Sequence, residues 1–109
     1  MRSALAQAAC SHRVREAEAW VNFMSGGGRN GRNLNVLAKL ADPGAAALLI
    51  RSSASTPEML VLEVRTADEA PILGQMSYRE AAPEPLYRRI SLTCRGGEIF
   101  AITAIERVY

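Results

Sequence analysis

Two adjacent arginines, Arg88 and Arg89, are the residues in this sequence whose side chains offer the clearest chemistry. Neighbouring residues on a β-strand point to opposite faces, so one of the two guanidinium groups is expected to point into the domain. A partly buried guanidinium needs a carboxylate partner or an anionic ligand. The internal candidates are Glu63, Glu98 and Glu106. A structural ion pair and an anion-binding arginine both remain open at this point.

A second set of cationic residues lies in the N-terminal half, around the glycine-rich segment 26–32. This segment lacks the residue order of a P-loop, and no strand is predicted before it, which argues against nucleotide binding of that kind. Arg29 and Arg32 lie beside flexible glycines and, with Lys39 and Arg13, are candidates for contacting nucleic-acid phosphates. The alternative is a mobile connection between two helices.

The cysteines and the histidine do not form a recognisable metal or catalytic motif. Cys10, Cys94 and His12 have no spacing that supplies the four ligands of a zinc site. We expect two reduced thiols, with Cys94 on a buried strand face. A single histidine with no adjacent acid does not build a nucleophilic triad. No metal and no cofactor are predicted.

Length and composition favour one ordinary globular domain spanning residues 1–109. A chain of 109 residues has no room for two independent cores, and 49% hydrophobic with 22% charged residues excludes a disordered chain. No apolar run approaches the roughly 18–20 residues that cross a bilayer, so no membrane association is expected. Cys10 follows two alanines, as in a lipoprotein cleavage site, but the apolar stretch before it is too short for a signal peptide. A cytoplasmic location is therefore expected.

The N-terminal third predicts two helices. Residues 3–24 contain neither Gly nor Pro, and Val14, Ala17, Val21 and Met24 form an i, i+3, i+7 stripe. The segment 25–28, Ser-Gly-Gly-Gly, ends this helix. A short second helix is predicted over residues 34–41.

From residue 45 onward, the pattern changes to that of strands. The apolar run 46–52 predicts a central strand, and 59–65 alternates, with Leu60 and Leu62 on one face. Residues 72–79 are compatible with a strand or a short helix. Residues 86–95 and 99–105 flank Gly96-Gly97, which predicts a hairpin whose last strand lies in the middle of the sheet. The predicted fold class is α+β: two N-terminal helices followed by an antiparallel sheet of four to five strands ending in a β-hairpin.

The segment 72–109 resembles the last third of chorismate lyase-like proteins. The matching motifs are Leu73-Gly74, the run from Leu86 to Leu92 that contains Arg88-Arg89, Gly96-Gly97, and Ala101-Ile102-Thr103-Ala104. The resemblance implies a six-stranded antiparallel sheet that encloses its ligand beneath helical flaps. It also implies cofactor-independent elimination of pyruvate from chorismate, leaving 4-hydroxybenzoate.

In that family, arginine holds the carboxylate of the ligand and a glutamate on the closing strand acts as the acid. The resemblance therefore gives the carboxylate-binding role to Arg88 or Arg89. The position of the acid is occupied here by Ala104, and Glu106 can replace it as the catalytic residue only if the strand register shifts. The chain is also shorter than members of that family. The same fold serves as the effector-binding domain of a class of bacterial transcription regulators.

Two functions from different classes follow. The first is a small-ligand-binding domain that holds an aromatic or other small carboxylate, with lyase activity left open. The alternative is a non-enzymatic interaction module, which forms a homodimer through its sheet or binds nucleic acid through Arg29, Arg32 and Lys39. A cone-shaped α+β fold like that of the ketosteroid isomerase relatives also fits the predicted element order, but it lacks an obvious acidic base.

Overall fold

The computed structural model describes residues 10–23 and 32–108, and these residues form a β-sandwich that contains no helix. The eight strands are β1 (Val14–Asn22), β2 (Asn33–Leu40), β3 (Ala47–Arg51), β4 (Met59–Thr66), β5 (Gln75–Ala81), β6 (Arg89–Cys94), β7 (Gly97–Ile102) and β8 (Glu106–Val108). The first sheet has the strand order β5-β2-β1-β8, and the second has the order β3-β4-β6-β7. Among the described residues there is also no helix suited to spanning a bilayer.

The two sheets enclose a core built from alternate residues of their strands. On β2, the even-numbered residues Leu34, Val36, Ala38 and Leu40 are buried, while the odd-numbered residues between them are partly exposed. On the facing sheet, Leu60, Leu62, Ile90 and Leu92 are fully buried. Val61 and Ser91, which lie between them, are also buried, so the central strands of that sheet do not alternate in burial. An apolar face on each sheet drives the sheets together, because burying that surface removes it from water.

The α+β prediction is wrong, because both predicted helices lie in strands. Residues 14–22 form β1 and residues 33–40 form β2, paired antiparallel along their whole length except for an irregularity near Val14. Ala, Leu, Glu and Arg favour helices when each residue is considered alone. In the folded chain, Ala19 and Val21 contribute to the core with a period of two, and pairing with β2 overrides the helical preference. Residues 3–9 and Met24 of the first predicted helix lie outside the described residues.

The sheets also differ from the predicted all-antiparallel arrangement. β1 pairs with β8 and β4 pairs with β6 in parallel, so both sheets are mixed. β3 and β7 are edge strands rather than central ones. The β6–β7 hairpin is confirmed, but its two central residues are Arg95 and Gly96, both with positive φ, as in a type I′ turn. The ambiguous segment 72–79 contributes to strand β5, which runs from Gln75 to Ala81.

A disulfide joins Cys10 to Cys94, so the expectation of two reduced thiols is wrong. The bond connects the segment before β1, in the first sheet, to the end of β6, in the second. Its Cα atoms are 5.9 Å apart and its cysteines are separated by 84 positions in the sequence. A cross-link across so long a loop restricts the unfolded chain strongly and fixes one sheet to the other.

We expect the purified protein to contain no thiol that reacts with maleimide unless it is first unfolded and reduced. Replacing both cysteines with alanine should lower the free energy of unfolding by about 4 kcal/mol, because the long loop is no longer closed in the unfolded chain. Urea unfolding of the two proteins, followed by circular dichroism, measures this difference. An unchanged midpoint would show that the disulfide does not contribute to the stability of the sandwich.

Candidate functional site

The most distinctive region of the sandwich is the margin where the edge strands of both sheets, β3 and β5, pack against each other. We call it the β3–β5 margin. Along the side of β3 turned away from β4, no strand of residues 10–23 or 32–108 pairs with it. We call that side the open edge of β3. The margin therefore combines a gap between two sheets with a row of backbone groups that have no strand partner in the described chain.

A polar cluster closes one end of the margin. It consists of Arg51, Tyr78, Glu80 and Tyr87, and we call it the Glu80 cluster. The hydroxyl of Tyr78 donates to Oε1 of Glu80 at 2.5 Å, and the hydroxyl of Tyr87 donates to Oε2 at 2.6 Å. Nε of Arg51 lies 3.3 Å from Oε1 of the same carboxylate. Both carboxylate oxygens thus have partners, and the ends of β3 and β5 are tied to the chain that enters β6.

The positions of these side chains follow from strand alternation. On β5, Met76 faces the core, and Tyr78 and Glu80 follow it on the same face at intervals of two residues. On β3, Arg51 shares the inward face with Ala47 and Leu49. The two tyrosine hydroxyl groups are partly buried and require an acceptor, which the carboxylate of Glu80 supplies. The exposed guanidinium of Arg51 reaches the same carboxylate from the end of β3.

The same arrangement shifts the tyrosine pKa values upward. The pKa of Tyr78 is raised first by partial burial of its hydroxyl and then by its hydrogen bond to Glu80. The pKa of Tyr87 is raised by the same two effects in the same order. Both phenols therefore stay neutral and act as donors at physiological pH. The cluster offers neither an ionised nucleophile nor an unpaired base, and its geometry supports a structural role.

The other end of the margin is fixed by the connection that leads into β5. N–H of Gly74 donates to the carbonyl of Ala45 at 2.8 Å, and the carbonyl of Gly74 accepts from N–H of Leu40 at 2.8 Å. Gly74 has φ of 80°, and a Cβ atom there would lie 2.8 Å from the carbonyl oxygen of Pro43. Only glycine fits this crossing, which holds the connection in one place against the start of β3.

Between the two ends, the margin is apolar and exposed. A cleft of about 180 Å³ is lined by residues that include Ala47, Leu48, Ile72 and Met76. The exposed fractions are 41% for Leu48, 37% for Ile50, 57% for Ile72 and 56% for Leu73. These four side chains are among the large hydrophobic residues that the sandwich leaves in contact with water. They all lie on β3 or on the connection beside it.

The hydrogen bonds at the two ends of β3 fix which backbone groups face the open edge. N–H of Ser52 donates to the carbonyl of Val61 at 2.9 Å, and N–H of Ala67 donates to the carbonyl of Ala46 at 3.0 Å. In an antiparallel pair, hydrogen-bonded positions alternate. The even-numbered residues of this segment therefore direct their N–H and C=O groups toward β4.

It follows that the odd-numbered residues of β3, Ala47, Leu49 and Arg51, direct their N–H and C=O groups toward the open edge. The side chains of Leu48 and Ile50 stand on the outer face of the second sheet and carry no charge. β3 thus presents three pairs of backbone donors and acceptors together with two exposed apolar side chains.

The other three edge strands of the sandwich are protected against pairing. β5 has the exposed Arg79 on its outer face, β7 has the exposed Glu98 and a bulge in its pairing with β6, and β8 has only three residues, including Glu106 and Arg107. Charges, bulges and short length are the usual devices that prevent edge strands from pairing with other chains. β3 is also short, with five residues, but its outward side chains, Leu48 and Ile50, carry no charge and its pairing with β4 has no bulge.

The structure places the two predicted arginines outside the sandwich. Arg88 is exposed, and its N–H donates to the carbonyl of Glu58. Arg89 lies on the outer face of β6, where its guanidinium is 2.6 Å from Oε1 of Glu98. The hydroxyl of Ser91 donates to the same oxygen at 2.6 Å, and this bond, followed by the bond from Arg89, lowers the pKa of Glu98. Of the two interpretations of the arginine pair, the structure contains a structural ion pair, formed by Arg89 and Glu98.

The remaining predicted residues do not come together. Glu106 lies on β8 of the first sheet, opposite Trp20, whereas Arg88 and Arg89 belong to the second sheet. Arg29 lies outside the described residues.

Arg32 and Lys39 lie just before the start and near the end of β2, and each has a carboxylate partner. Arg32 is 2.7 Å from Glu84 and also covers the ring of Phe23, while Lys39 is 3.5 Å from Glu16. Within the described chain, these cations form two separate ion pairs and no continuous basic patch.

Sequence reasoning missed Arg51, Tyr78 and Glu80. The missed signal was the alternation of Met76, Tyr78 and Glu80, which places a carboxylate on the apolar face of β5 once this segment is treated as a strand.

Comparison of the chain with models of protein families, with curated proteins and with solved structures finds no match. The resemblance to chorismate lyase-like proteins is therefore neither supported nor refuted by relatives, and it stays a prediction. The flap-covered antiparallel sheet that it implies differs from the helix-free sandwich of the described residues.

We expect two tyrosines to ionise later than free tyrosine in an alkaline titration followed by the absorbance of tyrosinate. The folded state raises the pKa of Tyr78 and Tyr87, so it favours their neutral form. The stability gained in this way is complete below about pH 10, the ordinary pKa of tyrosine, and is lost as the pH rises through the higher values of the folded state.

Glu80→Gln should shift both late ionisations to lower pH, because a neutral amide raises the tyrosine pKa less than a carboxylate does. Glu84→Gln is the matched control, since Glu84 also pairs with an arginine but has no tyrosine partner among the described contacts. Equal titration curves for the wild type and Glu80→Gln would show that the carboxylate does not govern these two phenols.

Proposed function

We propose that this protein is a non-enzymatic interaction module that binds an extended strand along the open edge of β3. One observation carries the proposal: of the four edge strands of the described sandwich, β3 is the one whose outward side chains are uncharged and whose pairing has no bulge. Adding a strand to such an edge is an established form of protein recognition, in which backbone hydrogen bonds give affinity and alternate side chains give specificity.

The margin around β3 supports this role because it is held in place before any partner arrives. The Glu80 cluster anchors one end of the strand, and the bonds of Gly74 anchor the chain just before the other end. A rigid edge loses little conformational freedom when a partner pairs with it, and binding is correspondingly stronger.

The geometry gives less support to the small-carboxylate function. One terminal nitrogen of the Arg89 guanidinium is already paired with Glu98, its Nε is buried without a hydrogen-bond partner among the described residues, and Arg88 is exposed rather than directed into a cavity. The cleft at the β3–β5 margin has a volume of about 180 Å³, and a cleft beside Arg13 and Leu40 has a volume of about 270 Å³. Small-molecule sites usually have volumes of about 300–1,000 Å³ and convergent polar groups. Carboxylate binding and lyase activity therefore rank below strand pairing.

We further infer that the module works in an oxidising compartment, in place of the cytoplasm that the sequence alone suggested. The support is the Cys10–Cys94 disulfide. Structural disulfides persist in secreted and periplasmic proteins and are rare where thiols are kept reduced.

The proposal predicts that a short extended peptide binds at the open edge. The probe is an acetylated and amidated peptide with the sequence of residues 46–52, which is apolar apart from its end and contains no proline. In a nuclear magnetic resonance titration of dilute labelled protein, we expect the amide signals of Ala47, Leu49 and Arg51 to shift most, because their N–H groups face the open edge.

Two lysine variants distinguish pairing at the open edge from nonspecific hydrophobic binding. Ile50→Lys should weaken peptide binding at least tenfold, since it places a charge on the pairing face. Val108→Lys should leave binding unchanged; Val108 is 38% exposed, against 37% for Ile50, but lies on β8 of the other sheet. Shifts that are absent, or that centre on β7 or β8, would overturn the proposal.

A further inference from the structure

We propose that the strand bound at this edge is β3 of a second copy of the chain, paired antiparallel about a two-fold axis at Leu49. The inference rests on the proposed function, because it assumes that the open edge accepts a strand. It adds the identity of the partner and the register of the pairing. The resulting dimer would contain one continuous eight-stranded sheet, made of the two second sheets joined at β3.

The backbone selects this register. With the axis at Leu49, Ala47 lies opposite Arg51 of the second copy, and Leu49 lies opposite its own counterpart. All of these residues direct their N–H and C=O groups toward the open edge, so each opposed pair can exchange two hydrogen bonds. A shift of one residue would place groups that already bond to β4 at the interface and reverse the faces of the side chains. Larger shifts in either direction shorten the overlap.

The side chains on the outer face are complementary in the same register. Leu48 lies opposite Ile50 of the second copy, and Ile50 lies opposite Leu48, so the two-fold axis generates two apolar cross-strand pairs. These are two of the large hydrophobic side chains that the single chain leaves exposed. An edge whose own sequence supplies both members of each pair fits a symmetric partner.

The charges are compatible with the pairing. Arg51 is the only charged residue of β3, and it lies opposite Ala47 rather than opposite another arginine. The two Arg51 residues are then about 14 Å apart along the strands, beyond the screening length at physiological salt. Each also keeps the carboxylate of Glu80 in its own chain as its partner.

The connection before β5 extends the apolar contact. Ile72 lines the same cleft as Ala47 and Leu48, and Leu73 follows it; both are more than half exposed. In the proposed register, the Arg51 end of the second β3 arrives beside this connection. The dimer would therefore extend the apolar contact of Leu48 and Ile50 toward Ile72.

The test uses the full chain at increasing concentration. Analytical ultracentrifugation of the wild type should show a reversible dimer. Ile50→Lys should weaken the dimer at least tenfold, and Val108→Lys should change its dissociation constant by less than twofold. A monomer at every concentration would overturn the proposed partner.

Cysteine cross-linking tests the register independently. In a mixture of Leu48→Cys with Ile50→Cys, the two new cysteines face each other with Cα atoms about 4.5 Å apart, within reach of a disulfide. Either variant alone places its two cysteines about 8 Å apart, beyond that reach. Mild oxidation should therefore cross-link the mixture far more than either variant alone. Stronger cross-linking of a single variant would overturn the register.

The outcomes also separate this inference from the proposed function. If the peptide of residues 46–52 binds at the open edge while the protein stays monomeric, the edge accepts a strand but not the edge of a second copy, and only the inference fails. If neither the peptide binds nor a dimer forms, both fail. A dimer that survives Ile50→Lys unchanged would place the contact elsewhere and overturn the inference.

Discussion

Every backbone N–H and C=O group in a sheet needs a hydrogen-bond partner, and this requirement governs how the sandwich meets its surroundings. Two open sheets of four strands necessarily leave four edges. Three of these edges are protected from pairing with another chain. β5 carries an exposed charge, the pairing of β7 contains a bulge, and β8 has only three residues. β3 has uncharged outward side chains and no bulge, and the proposed function follows from this difference.

The elements around β3 hold both ends of the strand in place. The Glu80 cluster fixes the Arg51 end of the strand, and Gly74 fixes the chain before the Ala47 end. The disulfide holds the two sheets together at the end of β6. Polar groups inside the margin are paired with one another, so the interactions left over for a partner are those of the open edge and its apolar side chains. A binding surface of this kind needs no catalytic group.

The sequence predicted the strands correctly where apolar and polar residues alternate clearly or a glycine turn joins two strands. It misled where the residues of a strand individually favour a helix. The strand β4, with Leu60 and Leu62 inward, and the β6–β7 hairpin could be predicted. β1 and β2 were mistaken for helices because their residues favour helices individually, while the strands that pair with them come from distant parts of the chain. The Glu80 cluster joins three segments that no local pattern connects. The edge position of β3 depends on strand order, which a single sequence does not contain.

The central claim, that the odd-numbered amides of β3 face an edge open to a second strand, is tested most directly by amide hydrogen exchange at low and high protein concentration. In dilute protein, we expect the amides of Leu48 and Ile50 to exchange slowly, because they bond to β4, and those of Ala47, Leu49 and Arg51 to exchange quickly. At high concentration, the three fast amides should become protected while the other two change little. Slow exchange of all five amides in dilute protein would contradict the account, since it would mean that the edge already has a partner within the chain.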